Sequence, residues 1–238
     1  MSDGAAAPGT VRQLLRSARL LLLDFDGPVT AVYADVPAAD VARSLRSLLV
    51  DRGVEIPARL YLSDDPLDFV RWASTATTAD HQRAVEARLT DLERQAIQTA
   101  TPTPGADALL RAALARDLPI RIVSNNSPEA ITDFLNKHDL AHYVVAVHGR
   151  SPDHPDRMKP NSWTILQTLN DASSTAAEAV LLGDSVSDVV AALTAEVPCI
   201  GLANKPGKRD KLADAGALVI VNDMHAVADA LYGAPALP

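Results

Sequence analysis

Apolar and polar positions follow two rhythms along this chain, and the change between them divides it. From about Val32 to Ala100 the apolar residues recur at helical spacing. In "PAADVARSLRSLLVDRG", Val41, Leu45, Leu48 and Leu49 share a face, with Pro37 near the start and Gly53 past the end. "DPLDFVRWAST" predicts a second helix. In "TADHQRAVEARLTDLERQAIQTA", Val85, Leu89, Leu92 and Ala96 mark the inner face of a third, while Glu86, Arg88, Asp91, Glu93 and Arg94 keep the other faces polar.

From "TPTPGA" onward, helical patterns alternate with short continuous apolar runs. "DALLRAALARD" leads to "LPIRIVS", "PEAITDFLNKHDL" to "YVVAVHG", and "SWTILQTLNDA" to "AVLLGDS". "VSDVVAALTAE" leads to "VPCIGLAN", and "GKRDKLADAG" to "ALVIVND". Helices alternating with uninterrupted apolar strands predict a parallel sheet covered on both faces. "RLLLLDFD" supplies the first strand, separated from its partners by the helical segment. The expected organisation is a flexible tail over 1–10, an α/β core domain from 11–31 and 101–238, and a helical domain inserted as 32–100.

Open parallel sheets bind ligands beyond the C-terminal ends of their strands, so the residues just past each strand carry the chemistry. The first strand ends in Asp24-Phe25-Asp26-Gly27 and the second in Ser124-Asn125-Asn126-Ser127. The loop after the third holds Lys159, and the fourth ends in Gly183-Asp184-Ser185 with Asp188 beyond. Carboxylates at i and i+2 of a strand point to one side and repel unless a cation intervenes. With Asp184 and Asp188 they form an oxygen-rich set suited to Mg²⁺. A carboxylate beside such an ion can be a nucleophile in phosphoryl transfer, and a second can move the proton. Ser124 and neighbouring N–H groups can hold a phosphate oxygen, with Lys159 offsetting the acids.

Each cluster alone has a plainer reading. Asp-Gly is a turn signal, Ser127 and Ser185 are helix caps, Asp188 is a first-turn acid and Lys159 a solvated lysine. Their recurrence after successive strands of one sheet favours the catalytic reading.

Charge and composition narrow the partners. The 238-residue chain carries a formal net charge of -8, which argues against nucleic acid or an anionic membrane as partner. Cys199 is the single cysteine, so no intrachain disulfide and no cysteine-built metal site can form. "MSDGAAAPGT" lacks the pattern of a signal peptide, and no window approaches the roughly 20 apolar residues of a membrane span. A cytoplasmic protein is expected.

In this order, "DFDG", "VSNN", the lysine of "MKP" and "GDSVSD" resemble the four motifs of the haloacid dehalogenase superfamily of phosphohydrolases. The resemblance runs from roughly Arg19 to Tyr232 and is nearest to the phosphoglycolate-phosphatase-like members. It implies a doubly wound, Rossmann-like core of strand order 5-4-1-2-3, with "ALVIVND" extending the edge and the insert as a helical cap. By resemblance Asp24 is the nucleophile and Asp26 the general acid/base, its backbone carbonyl on Mg²⁺. Ser124 and Asn125 are implied substrate contacts, and Lys159 steadies both Asp24 and the phosphoryl group. Asp184 would ligate Mg²⁺, with Asp188 completing a metal site of Asp24, Asp26, Asp184 and Asp188. One departure is Pro28, where many members carry Thr; proline removes a backbone donor and stiffens the loop.

The expected function is a Mg²⁺-dependent phosphatase that hydrolyses a small phosphorylated metabolite through an aspartyl-phosphate on Asp24. A phosphomutase using the same residue and a non-catalytic binding member of the fold are the alternatives; Asp26, Asp184 and Asp188 count against a dehalogenase. Tyr33 and Arg71 are the insert residues to test first as substrate contacts. Trp72 and Trp163 read as packing residues, and the histidines are scattered without ligand spacing. The run from Lys205 to Lys211 reads as a loop and solvated helix start.

Overall fold

The computed structural model describes residues 8–232. Residues 1–7 of the expected tail lie outside these, and residues 8–10 already open helix α1 (Pro8–Ser17).

Six parallel strands form one sheet: β1 (Leu20–Leu23), β2 (Ile120–Val123), β3 (Val144–His148), β4 (Ala179–Gly183), β5 (Cys199–Leu202) and β6 (Val219–Val221). Their order is β3-β2-β1-β4-β5-β6, which is the expected 5-4-1-2-3 with the last strand at the edge. β1 lies at the centre, Leu21 facing both Ile120 of β2 and Val180 of β4. The chain winds outward from β1 in one direction and then in the other, so the order reverses beside it. That is where an open sheet leaves a crevice at its strand ends.

The four leucines of β1 show why the strand is apolar throughout. Leu21 and Leu23 pack on one face with residues of α1, α6 (Ala106–Leu114), α7 (Pro128–Lys137) and α11 (Met224–Tyr232). Leu20 and Leu22 pack on the other with α8 (Trp163–Asp171), α9 (Val186–Thr194) and α10 (Lys208–Asp214). Successive side chains of a strand point to opposite faces, and here both faces are covered. No helix among the described residues is long and apolar enough to cross a membrane.

Between β1 and α6 stand α2 (Ala38–Asp51), α3 (Ala58–Tyr61), α4 (Pro66–Ala76) and α5 (Ala79–Ala96). They bury an apolar cluster of their own, with Val41, Leu45, Phe69, Val85 and Leu89 at its centre and Met158 reaching in from the loop after β3. Asp65 caps α4 and Thr78 caps α5, each accepting a bond from the first turn. Trp72 packs partly on this cluster as expected. Trp163 does not pack: it is exposed at the start of α8, with the Arg157 guanidinium 4.1 Å above its ring. The two linkers of the insert run together, since Thr30 bonds the Thr101 carbonyl at 2.9 Å and Thr103 bonds that of Gly27 at 2.7 Å.

A buried ion network fixes the last helix of the insert to the sheet. Arg150, just past β3, donates to Glu86 at 2.8 Å, to Glu93 at 2.9 and 3.2 Å, and to the Asn125 carbonyl at 2.8 Å. Glu93 also accepts from the Asn126 amide at 3.1 Å and the Ser127 N–H at 2.9 Å. Burial raises the Glu86 carboxyl, with Arg150 opposing; burial would lower Arg150, but Glu93 and Glu86 together hold it above its ordinary value. Removing one member strands the other charges in the interior. Arg150→Met is expected to lower unfolding stability by about 3–5 kcal/mol in urea titration. A loss below about 1 kcal/mol would mean the network contributes little.

Candidate active site

Asp24 comes directly after β1, and its backbone N–H still bonds the Leu182 carbonyl of β4 at 3.0 Å. Its side chain is therefore carried on the sheet rather than on a free loop. Oδ1 accepts the Phe25 N–H at 2.8 Å and lies 2.9 Å from the ammonium of Lys159. The same ammonium donates to the Val123 carbonyl of β2 at 2.8 Å and to Oδ1 of Asp188. Asn125 holds the backbone of Lys159 from both sides: its amide oxygen accepts the Lys159 N–H at 2.8 Å, and its amide nitrogen donates to the Lys159 carbonyl at 2.9 Å.

Asp188 is fully buried and faces two ways. Oδ1 takes Lys159, and Oδ2 accepts from the N–H groups of Asp184 and Ser185 at 3.1 and 3.0 Å and the Ser185 hydroxyl at 2.7 Å. Ser185 also caps α9 through the Asp188 N–H at 3.2 Å, as the plain helix-cap reading has it. Gly183 makes room for this, since a Cβ there would lie 2.5 Å from that of Asp188.

The loop after Asp24 is a tight turn. Gly27 has φ of 108°, and a Cβ there would collide with the Asp184 carboxylate. The N–H groups of Gly27, Val29 and Thr30 close the turn, so proline at 28 removes no donor that it uses. Asp26 is held by the Val32 N–H at 2.9 Å. Ser124 donates to the Asn126 amide oxygen at 3.1 Å and receives the Asn126 N–H at 3.3 Å.

These groups line the floor of one cleft of about 440 Å³, where Asp24, Asp26, Ser124, Asn125, Lys159 and Asp184 all meet. Asp188 supports that floor from below. Tyr33 lines the opposite, insert side, and its hydroxyl is pushed well up by burial and by Glu93 and Asp26. Arg71, the other insert residue to test for substrate contact, does not line the cleft. It spans Asp65 and Asp68 at 3.6 Å each and donates to the Lys159 carbonyl at 3.4 Å.

Lys208, part of a run that reads in sequence as a loop and solvated helix start, pairs instead with Asp184. The signal was positional: the run comes after β5, whose end opens on the same rim as the other clusters.

Crowding perturbs the acids. Burial and then Asp188 push Asp24 up to about 8 against the pull of Lys159. Burial raises Asp26 to about 6, opposed by its bond from Val32. Burial raises Asp184, with Lys208 opposing. For Asp188, burial is outweighed by Lys159 and Ser185, and its carboxyl is held low. Carboxyl oxygens of Asp24, Asp184 and Asp188 lie within 4.8 Å of one another, while the Asp26 carboxylate stands outside that group. An all-oxygen set of this kind, short of positive charge, is compatible with a hard divalent cation.

Residues 67–202 match the family described as haloacid dehalogenase-like hydrolase. The match takes in Ser124, Lys159, Asp184 and Asp188 and leaves β1 with its two aspartates outside. The chain is 23% identical over 217 residues to a phosphoglycolate phosphatase of Pseudomonas fluorescens, covering 89% of this chain and 79% of that protein. It is 27% identical over 132 residues to a phosphoglycolate phosphatase of Agrobacterium fabrum, covering 55% of each. Among solved structures, one described as a predicted phosphatase from Clostridium acetobutylicum superposes with a TM-score of 0.67 at 20% identity, covering 90% of this chain and 98% of that one. At that identity the likeness shows the fold alone.

A cation that binds only the folded chain must stabilise it. At 100-fold above its dissociation constant a divalent ion is expected to add about 2.7 kcal/mol, raising the thermal midpoint by roughly 5–10 °C. Asp184→Asn should remove that rise. A wild-type midpoint unmoved by millimolar Mg²⁺ or Mn²⁺ would contradict a metal site here.

Proposed function

The chain belongs to the haloacid dehalogenase-like hydrolase family, and from that membership we propose a Mg²⁺-dependent phosphatase that carries the phosphoryl group on Asp24. The observation that carries this reading is the Asp24 carboxylate, 6% exposed at the end of the central strand, sharing the Lys159 ammonium with Asp188 on the floor of a cleft.

The substrate's phosphoryl group lies between Asp24, Ser124 and Lys159. The Ser124 hydroxyl bonds a phosphoryl oxygen, and the ammonium lowers the repulsion between an anionic nucleophile and an anionic ester. Asp24 attacks phosphorus in line as the carboxylate, the form that Lys159 favours against the burial that raises it, and Lys159 and the Phe25 N–H hold it in place. As the bond to the leaving oxygen breaks, Asp26 gives that oxygen its proton. A carboxyl raised to about 6 retains that proton far better near neutrality than an ordinary aspartate does. Asp26 then takes a proton from water attacking the aspartyl-phosphate, the bond from phosphorus to Asp24 breaks, and inorganic phosphate leaves.

Asp24, the Asp26 carbonyl and Asp184 would hold Mg²⁺, which when bound supplies positive charge to the phosphoryl oxygens. Asp188 works one step back by holding Lys159 and the turn at Ser185. The inserted helices form the far wall of the cleft and act as a cap that shields the reaction from bulk water and meets the leaving group. The cleft's volume suits a small phosphorylated metabolite, as the names of the curated relatives also indicate.

Phosphate release from a panel of phosphate esters, with Mg²⁺ or excess chelator, tests this reading. Asp24→Asn is expected to cut turnover by about 10³-fold or more. Asp26→Asn should slow it by about 10²–10⁴-fold while still allowing some phosphoryl-enzyme to form. Turnover of the Asp24→Asn protein within tenfold of wild type would contradict the covalent route.

A further inference from the structure

The far wall of the cleft has a charge of its own. On the insert side the cleft is lined by Tyr33, Ala38, Asp64, Asp65, Pro66 and Leu67, and Lys159 on the floor is the one cationic side chain lining it among the described residues. Asp64 is exposed and has no hydrogen-bond or ion-pair partner among the described residues. Asp65 spends one oxygen on the Leu67 N–H at 2.9 Å, capping α4. Its other oxygen lies 3.6 Å from Arg71, a guanidinium it shares with Asp68 at the same distance. One arginine facing two carboxylates, with Asp64 unpaired beside them, leaves this wall negative.

A lysine-rich groove exists nearby, lined by Lys205, Lys208 and Lys211. It shares Asp26, Asp184 and Ser185 with the cleft but contains neither Asp24, Ser124 nor Lys159. A phosphoryl group seated on Asp24 and Ser124 has the strand ends beneath it, so its leaving group projects toward the acidic wall. A carboxylate carried there would face Asp64 and Asp65 with no cation to receive it. An ammonium would be attracted to both.

We infer that this enzyme takes phosphate monoesters whose leaving alcohol carries a protonated amine, the amino-alcohol and amino-sugar class, and that Asp64 with Asp65 sets this preference. The inference rests on the phosphatase reading above. It also separates this chain from the substrate for which its curated relatives are named, an ester whose leaving group is anionic.

The test compares kcat/KM for three esters of matched length in Mg²⁺: phosphoethanolamine, ethylene glycol monophosphate and phosphoglycolate. p-Nitrophenyl phosphate serves as a reporter of hydrolysis that is independent of the wall. At separations of several ångströms in a partly solvated cleft, the amine should be favoured over the carboxylate by about tenfold or more, with the neutral ester between. Asp64→Asn should shrink that ratio by about threefold, mainly through KM for the amine, and Asp64→Lys should reverse its sign. Hydrolysis of p-nitrophenyl phosphate together with equal or better use of phosphoglycolate would overturn the inference and leave the phosphatase standing. A ratio unmoved by Asp64→Lys would overturn the role given to Asp64. Failure to hydrolyse any of the four esters would remove the parent reading, and this inference with it.

Discussion

One buried ammonium organises the end of the sheet. Lys159 reaches back from the loop after β3 to touch Asp24 after β1, the Val123 carbonyl that ends β2, and Asp188 beyond β4. Three adjacent strands are thereby tied at a single nitrogen. Buried carboxylates this close cannot all stay ionised without a cation among them, and a buried lysine without partners would lose its proton. Each charge makes the others tolerable, so the burial that threatens the site also gives it one geometry. Asn125 adds the backbone clamp that brings the lysine there.

A second buried charge network stands behind the first and sets where the cleft's far wall begins. Arg150 and Glu93 join α5 to the Asn125–Ser127 turn, the same turn that presents Ser124 and clamps Lys159. The insert is thus rooted beside the Ser124–Ser127 turn at its C-terminal end. Its acidic corner at Asp64 and Asp65 lies across the cleft, held to the core through Arg71 and the Lys159 carbonyl. Floor and wall are built from different chemistry: the floor sets Lys159 among Asp24, Asp26 and Asp184, and the wall presents Asp64 and Asp65 across the cleft.

Much of this is legible in the chain itself. Uninterrupted apolar runs give the parallel sheet because both faces of each strand are covered, and the polar residues that stop those runs mark the rim. Asp24 and Asp26 are found that way, although they lie outside the segment that matches the family. Helices α1 and α11 do not stand out in the pattern because α1 is a short, mostly polar piece that begins inside the stretch read as a tail and α11 is a short alanine-rich one; α1 packs on α11, and α11 on α6. Long-range pairings are harder still. Glu86 and Glu93 look like the polar face of an amphipathic helix until Arg150 is placed against them, and Lys208 looks solvated until β5 delivers it to Asp184. Arg71 is, from its place in the insert, a residue to test for substrate contact, but neighbouring acids and a backbone carbonyl occupy it. Spacing along one chain reports faces and caps; it does not report which distant charge arrives to neutralise a buried one.

The central claim is that the phosphoryl group passes through Asp24, and chemical trapping tests it most directly. Enzyme quenched during turnover and reduced with borohydride converts an acyl-phosphate on aspartate to homoserine, which peptide mass spectrometry locates. The account predicts that change at residue 24 alone, dependent on both ester and Mg²⁺. Full turnover with Asp24 unmodified, or with the label on another residue, would contradict it.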